Sequence, residues 1–485
     1  MDLWPPQLST AALSLHPTIM SDSSDDEEEQ EILLSDIREV TQDSTSKAVS
    51  KTTAPSARIP PLTSKPHHRA ILHVDVDCFY AQSIFVRYYD SGESVDPPPQ
   101  PAIAVQQKHI VVTCNYPARA LGVGKLTKIE DAKALERKGL CKVHDGSDLT
   151  DFREDSFTIY ETVRRFFREK GEPFQAYKSG MDEYNVDVTD LVGGRGDVVL
   201  LELANELRRF IFKTTRFSTS VGAGPNIMLA KMAANEKKPY GGYFFSLEEG
   251  RNKLKDMPLR ALPGLGRASL KLMQDKIRAM NGIKEENTLL VRHLLTSATG
   301  VLCGAGLDRA DVLKFKECGS GVDRRVVEDD EFKDKKRSGI EQSFRRGTLT
   351  EITLVRVEIK TLAQRLLKLI DEENTRFKGG TRVGKNLVVT IRDRGEDGKS
   401  SYSVKRKSKS APWPGNDREK VATAANRLFD VLIEKNYSNE AQFNITLINL
   451  AVEWADSTST KRGVQNIEGF FATKPSPEKR SKYIN

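Results

Sequence analysis

Cysteine is scarce in this chain. Its 485 residues include five, Cys78, Cys114, Cys141, Cys303 and Cys318, which are odd in number, scattered and without a C-x-x-C pair. That pattern excludes a disulfide framework and a zinc finger, and it predicts a reducing compartment. Long apolar runs are missing too: no stretch approaches the ~18 uninterrupted apolar residues of a membrane span. The opening MDLWPPQLST has no basic region followed by an apolar core, so secretion is not expected. What is present, 38% hydrophobic and 29% charged residues, suits packed cores with polar extensions rather than a wholly disordered chain. The length allows several domains of ~100–200 residues. The expectation is a soluble, intracellular, multidomain protein.

The net charge of +7 hides an asymmetry. Residues 1–68 hold 11 acidic and 5 basic side chains, which leaves 70 basic against 57 acidic in the rest. Residues 335–455 alone carry 24 basic and 15 acidic. A basic body fits a polyanionic partner, because neutralising phosphates dominates nucleic-acid affinity. An ordinary solvated surface gives the same numbers, so charge leaves both readings open.

The first 68 residues, with SDSSDDEEEQE and SARIPPLTSKPHH, have too little apolar content to repay ordering and are expected to be disordered. Ile32-Leu33-Leu34 is a short apolar patch within them. From RAILHVDVDCFYAQ onward the pattern changes. Ile71, His73, Asp75 and Asp77 alternate with Leu72, Val74 and Val76, the period of a strand. VQQKHIVVTCNY (105–116) predicts a second strand, followed by a helical KIEDAKALERKGL. Further helical and strand patterns alternate as far as IMLAKMAANEKK, which points to an α/β or α+β core. Pro263-Gly264-Leu265-Gly266 is a tight turn between two helical patterns. Gly264 and Gly266 there would either expose N–H groups to a DNA backbone phosphate or form a plain interhelical turn. Residues 335–455 predict a self-contained β-α-β-β-α-β unit.

Asp75 lies on the first strand, and Asp182-Glu183 lie at the start of a later one. Three carboxylates at strand ends would suit Mg²⁺, a hard ion that takes carboxylate oxygens plus substrate phosphates. Taken alone, acidic residues at such places are usually turn or surface residues. Their local sequences sharpen the reading. HVDVDCFYAQ, VVTCNYPARALGVGKL, MDEYNVDVT, AGPNIMLAKMAANEKKPYG and LPGLG occur in that order. Together they resemble the Y-family, or translesion, DNA polymerases across roughly residues 69–455, and within that family the iota branch is most similar.

The resemblance implies a right-hand polymerase of α+β fold. Its palm would comprise 69–78 and 147–245, its fingers 79–146, and its thumb 246–334 with the helix-hairpin-helix turn. A little finger for DNA binding would span 335–455, with a tail from 456 to 485. Asp75, Asp182 and Glu183 match the catalytic metal carboxylates, with the Val76 carbonyl as a backbone ligand, for two Mg²⁺ ions or Mn²⁺ in their place. Asp77 shares Asp75's strand face, but its family counterpart is not a direct ligand. Tyr80 matches the steric gate against ribonucleotides; Tyr116, Arg119 and Lys238 match the triphosphate binders. Gln107 and Lys108 match residues over the template base, followed by Ile110, Val112 and Thr113 on the same segment. Met181 departs from the family pattern, where Ser is common before the Asp-Glu pair.

In the tail, Ile467 three before Phe470-Phe471 resembles a degraded PCNA-clamp peptide, and the Phe pair also resembles the docking peptide for the scaffold polymerase of translesion synthesis. The partners so implied are primer-template DNA, a dNTP, the clamp and that scaffold, for a nuclear monomer with no membrane contact. Two alternatives stay open: specificity of the kappa or eta kind, and a catalytically weak DNA-binding scaffold.

Overall fold

The computed structural model describes residues 69–455 apart from 172, 194–195, 304–306, 331–334, 346, 377–381, 394–405 and 435–443. The apolar patch Ile32-Leu33-Leu34 and the tail motif at Ile467, Phe470 and Phe471 lie outside the described residues. The described chain is α+β and divides into two compact units, 69–333 and 334–455. Among the described residues no helix is long and apolar enough to cross a membrane.

The first unit is built on a five-stranded sheet of order β5-β6-β1-β7-β8. Its strands are β1 (Ile71–Val76), β5 (Gln175–Lys178), β6 (Glu183–Asp187), β7 (Thr219–Gly224) and β8 (Gly242–Phe244). All six residues of β1 are buried, as a central strand covered on both faces demands. β1 runs antiparallel to both neighbours, with Asp75 opposite Glu183 on β6 and opposite Ser220 on β7. Two long helices, Thr150–Glu169 and Asp197–Thr215, bury Ile159, Val163 and Phe167 from the one and Leu203, Leu207 and Ile211 from the other. These apolar positions repeat every three to four residues, the helical period.

The helix Ile227–Glu236 lies tightly against β7, and Gly222 makes that possible. A Cβ added at Gly222 would stand 2.0 Å from the Ala230 carbonyl oxygen, closer than any side chain tolerates. Asn226 caps this helix by accepting a hydrogen bond from the Leu229 N–H at 2.9 Å.

A separate three-stranded sheet, order β3-β2-β4, holds β2 (Ile103–Gln107), β3 (Ile110–Cys114) and β4 (Lys142–Asp145). The single strand expected over 105–116 is therefore corrected to a hairpin. Gln107 pairs with Ile110, and Lys108 turns the chain with a left-handed φ of 56°. Two-residue hairpin turns favour such backbone angles because they match the twist of the flanking strands.

From Leu247 to Gly319 the first unit is built mainly of helices. Leu259–Ala261 is a three-residue 3₁₀ turn rather than a full helix, and it is followed by the helix Arg267–Asn281. Gly264 adopts φ +81°, which glycine alone takes without strain, and Gly266 is the N-cap of the helix. Leu262 and Leu265, on either side of Gly264, are buried in one core with Met273, Ile277 and Val312.

The second unit has the order β9 (Arg337–Ser343), helix Ile352–Arg376, β10 (Gly384–Asp393), β11 (Lys407–Pro412), helix Arg418–Glu434, β12 (Ile445–Trp454). The expected β-α-β-β-α-β succession is what the structure shows. The sheet order is β11-β10-β12-β9, and Leu387, Val389, Ile391, Ile448, Leu450 and Val452 pack against both helices. Edge strand β11 carries Lys407 and Lys409, a charged edge of the kind that discourages pairing with other chains.

Candidate active site

The acidic residues meet at the ends of β1 and β6. One backbone hydrogen bond, from the Val76 N–H to the Asp182 carbonyl at 2.9 Å, fixes the spacing of the two strand ends. Lys238 Nζ lies 2.7 Å from Asp75 Oδ1. Lys231 Nζ reaches both Glu183 oxygens, at 2.6 and 2.7 Å. Sequence reasoning passed over Lys231. Its signal is slight: a lone lysine on the exposed side of IMLAKMAANE, seven positions before Lys238.

Beneath the carboxylates sits His73, buried, with Nδ1 2.8 Å from Asn185 Oδ1. Asn185 is oriented by its own Nδ2, which donates to Ser179 Oγ at 2.5 Å. A carbonyl oxygen only accepts, so His73 Nδ1 carries the proton and Nε2 keeps its lone pair. That Nε2 is buried without a hydrogen-bond partner. Ligand atoms of His73, Asp75 and Glu183 all lie within 4.8 Å of one another. An unshared lone pair facing two carboxylates is an electron-rich pocket, so the residues present fit a divalent cation.

The charges leave their mark on proton affinities. Burial, with Asp75 and Glu183 nearby, pushes the Asp182 carboxyl up to about 6. Burial would also raise Glu183, but His73, Lys231 and Lys238 together hold it below its ordinary value. Burial keeps His73 below its usual range despite the adjacent acids. Asp77, although on the same strand face as Asp75, points into a different network. It accepts from Ser220 Oγ at 2.7 Å and from the Tyr240 N–H at 2.9 Å, and burial raises it to about 6. Its work is structural: it ties down Tyr240, two residues after Lys238.

Cys78, with φ 51°, turns the chain sharply from β1 into the helix Phe79–Tyr88, which brings Tyr80 beside Met181 and within the electrostatic reach of Asp182. The Tyr80 ring packs edge-on against Phe152 at 4.6 Å, and its hydroxyl donates to Met181 Sδ at 3.6 Å. Burial, with Asp182 close by, pushes the phenol up to about 12. Met181, the departure noted in the sequence, thus holds the ring in place, while its carbonyl accepts from Tyr184 Oη at 2.9 Å. Tyr116 and Arg119 share a short helix, Tyr116–Ala120, started by the Asn115 cap. The Arg119 guanidinium stands 4.8 Å from the Tyr116 ring centroid and donates to Cys78 Sγ at 3.2 Å. A pocket of about 370 Å³ opens beside them, lined in part by Cys78, Tyr116, Pro98 and Tyr240.

At the hairpin, Gln107 Nε2 donates to the Gly146 carbonyl at 2.7 Å. Lys108 is exposed at the tip, whereas Ile110, Val112 and Thr113 are buried. The turn at Gly264 and Gly266 belongs to the helical part of the first unit, in a core of its own.

Residues 74–235 match the model of the impB/mucB/samB family, and residues 335–462 match that family's C-terminal domain. The chain belongs to the Y-family of translesion DNA polymerases. It is 26% identical over 436 residues to mouse DNA polymerase iota, covering 80% of this chain and 54% of the mouse protein. It is 27% identical over 404 residues to DNA polymerase IV of Oceanobacillus iheyensis, covering 82% and 83%. It is 31% identical over 220 residues to DNA polymerase IV of Mannheimia succiniciproducens, covering 45% and 58%. The chain thus spans little more than half of the mouse and Mannheimia relatives. Y-family polymerases use divalent metal ions, and the acidic cluster agrees with that.

Proposed function

We propose that the chain is a template-directed DNA polymerase, iota-like, that inserts deoxynucleotides during translesion synthesis. The observation that carries this reading is the convergence of Asp75, Asp182 and Glu183 at two paired strand ends, with Tyr80 beside Met181 and Lys238 against Asp75. Two divalent ions there, Mg²⁺ or Mn²⁺, would activate the primer 3′-OH and steady the leaving pyrophosphate. The protein's own residues hold the nucleotide. Arg119 offers a planar fork to phosphate oxygens, Lys238 a point charge, and Tyr116 a hydroxyl donor. Tyr80 supplies the wall that a ribose 2′-OH would strike. The Val76 carbonyl, at the end of β1, adds a backbone oxygen to the carboxylates.

In this reading the palm is 69–78 and 147–245, the fingers 79–146, the thumb 246–334 and the little finger 335–455. Backbone N–H groups at Gly264 and Gly266, with Lys407 and Lys409 on β11, would meet DNA phosphates. Extension of a primed template by the purified chain with dNTPs and Mg²⁺ tests the whole assignment. No extension in Mg²⁺ or Mn²⁺ would favour a non-catalytic DNA-binding scaffold.

Gln107 and Lys108 decide the branch. A long Gln tied to Gly146 and a Lys at the tip would occupy room over the template base. A narrowed site favours a template purine rotated to syn, presenting its Hoogsteen edge. The expected outcome is that template A is copied efficiently and template T poorly, since a pyrimidine has nothing to offer by rotating. Insertion opposite 7-deaza-adenine, which lacks N7, should be weaker than opposite A. Equal insertion opposite A and T, with no 7-deaza effect, would point to kappa- or eta-like templating instead.

The proposal extends to a nuclear monomer whose tail engages PCNA through Ile467, Phe470 and Phe471, or the translesion scaffold polymerase through the Phe pair. Burying each Phe is worth ~1.5–3 kcal/mol, so Phe470→Ala with Phe471→Ala should weaken clamp binding at least tenfold without altering insertion. Equal affinities by titration calorimetry would remove the clamp from the reading.

A further inference from the structure

Residues 320–330, which follow the last helix of the first unit, form neither helix nor strand, yet they are held at every few residues. Asn226 Nδ2 donates to the Gly321 carbonyl at 2.9 Å, and the Asp323 carboxylate accepts from the Met228 N–H at 3.1 Å. Val327 is buried against Ile71 and Ala230. The segment ends on a buried cation: Arg164, whose side chain is 3% exposed, places Nη2 3.1 Å from both oxygens of Asp329 and Nη1 3.7 Å from Asp330. The two acids also bind the outer edge of the sheet. Asp329 accepts from the Ala176 N–H at 3.1 Å and Asp330 from the Lys178 N–H at 2.9 Å, while the Asp330 N–H donates to the Ala176 carbonyl at 3.1 Å. β5 is an edge strand, so these acids complete bonds that a sixth strand would otherwise make.

We propose that Arg164 is a positioning residue for the C-terminal unit, acting by pinning Asp329 and Asp330 and so shortening the tether on which that unit is carried. The inference rests on reading the C-terminal unit as a DNA-binding domain. Seventeen residues, 320–336, separate the last helix from β9, but only six, 331–336, follow the anchored Asp330. At ~3.3–3.6 Å per residue the anchor cuts the greatest reach of the connection from about 60 Å to about 20 Å. The effective concentration of a tethered module falls roughly as the −3/2 power of linker length, so full release of the strap costs roughly fivefold in the tethered step.

The test uses the full chain in steady-state primer extension, reading KM for primer-template separately from kcat. Asp329→Asn with Asp330→Asn removes the charge that holds the buried guanidinium. It should raise KM between roughly twofold and fivefold with kcat unchanged. Eleven Gly/Ser residues inserted after Lys333, which leave the strap intact, should raise KM roughly fivefold in the parent chain but only about twofold in the Asn variant. A fall in kcat with KM unchanged, or equal multiplication of KM by the insertion in both backgrounds, would overturn the tether. Lys407→Glu with Lys409→Glu separates the premises. If it leaves KM unchanged, the DNA-binding reading of the C-terminal unit fails. If it raises KM while neither tether change does, that reading stands and the tether inference alone falls.

Discussion

Replacing Asp182 with Asn should all but abolish nucleotide addition and, in metal-free buffer, make the protein more stable. The first effect follows from losing an anionic group where charge must be balanced as the phosphate is transferred; a loss of about a hundredfold to a thousandfold is the scale for one such electrostatic group. The second follows from the raised carboxyl. In the unfolded chain an Asp ionises near its ordinary 3.8, whereas in the folded protein Asp182 holds its proton up to about 6. Between those values the folded state binds more protons than the unfolded, so stability is lost as pH rises, by about 3 kcal/mol once pH exceeds 6. Asn carries no such liability. Chemical denaturation should therefore show Asp182→Asn more stable than the parent at pH 8 and equal to it below pH 4. Added divalent ion should stabilise the parent far more than the variant. A variant that extends primers at the parental rate, or one that is less stable at pH 8 without metal, would contradict the role given to this carboxylate.

Tyr80→Ala should open the site to ribonucleotides. The ring is held from two sides, by Phe152 at 4.6 Å and by the Met181 sulfur at 3.6 Å, so it has little room to swing away from a 2′-OH. Forcing an extra group against a well-packed wall costs ~1–3 kcal/mol, which translates to a change in discrimination of roughly fivefold to 150-fold. Insertion kinetics with paired dNTP and rNTP substrates read this directly, and an unchanged ratio would show that another residue guards the sugar. Met181→Ala should act in the same direction but more weakly, since it frees the ring without removing it.

The strand that carries Asp75 is legible in the sequence because its alternation is plain, whereas Tyr80, Tyr116 and Arg119 lie on helices and Lys238 just after one, where only the family motifs single them out. Ile71 to Asp77 reads as a strand by its period alone, and the family motifs place Tyr80, Tyr116, Arg119 and Lys238 around it. The hairpin was misread as one strand because its turn, Lys108-His109, lacks the Gly or Asn that announces φ > 0. β4, β5 and β8 span three or four residues each, too short for any period to register. Lys231 hid because a lone lysine on a helix is usually a solvated side chain; only the fold brings it to Glu183. The partnership of His73 with Asn185 is invisible for the same reason, joining residues 112 positions apart. Arg164 and Asp329 are still farther apart, at 165 positions, and GVDRRVVEDD carries the signature of an ordinary charged loop.

The central place of β1 has a consequence for the chain as it is made. β1 is the first described strand in the sequence, yet both of its partners come much later: β6 begins at Glu183 and β7 ends at Gly224. At ~5–20 residues per second, a ribosome needs on the order of ten to thirty seconds after Ile71 to deliver Gly224. Until β6 is complete at Asp187, 116 residues after Ile71, ILHVDV, a strand buried on every residue in the finished protein, has no native strand partner. An unpaired apolar strand is what chaperones bind and what aggregates. The same delay means that Asp75 waits alone: no truncated product of this message ending before Glu183 carries the paired strand ends on which Asp75 and Glu183 meet.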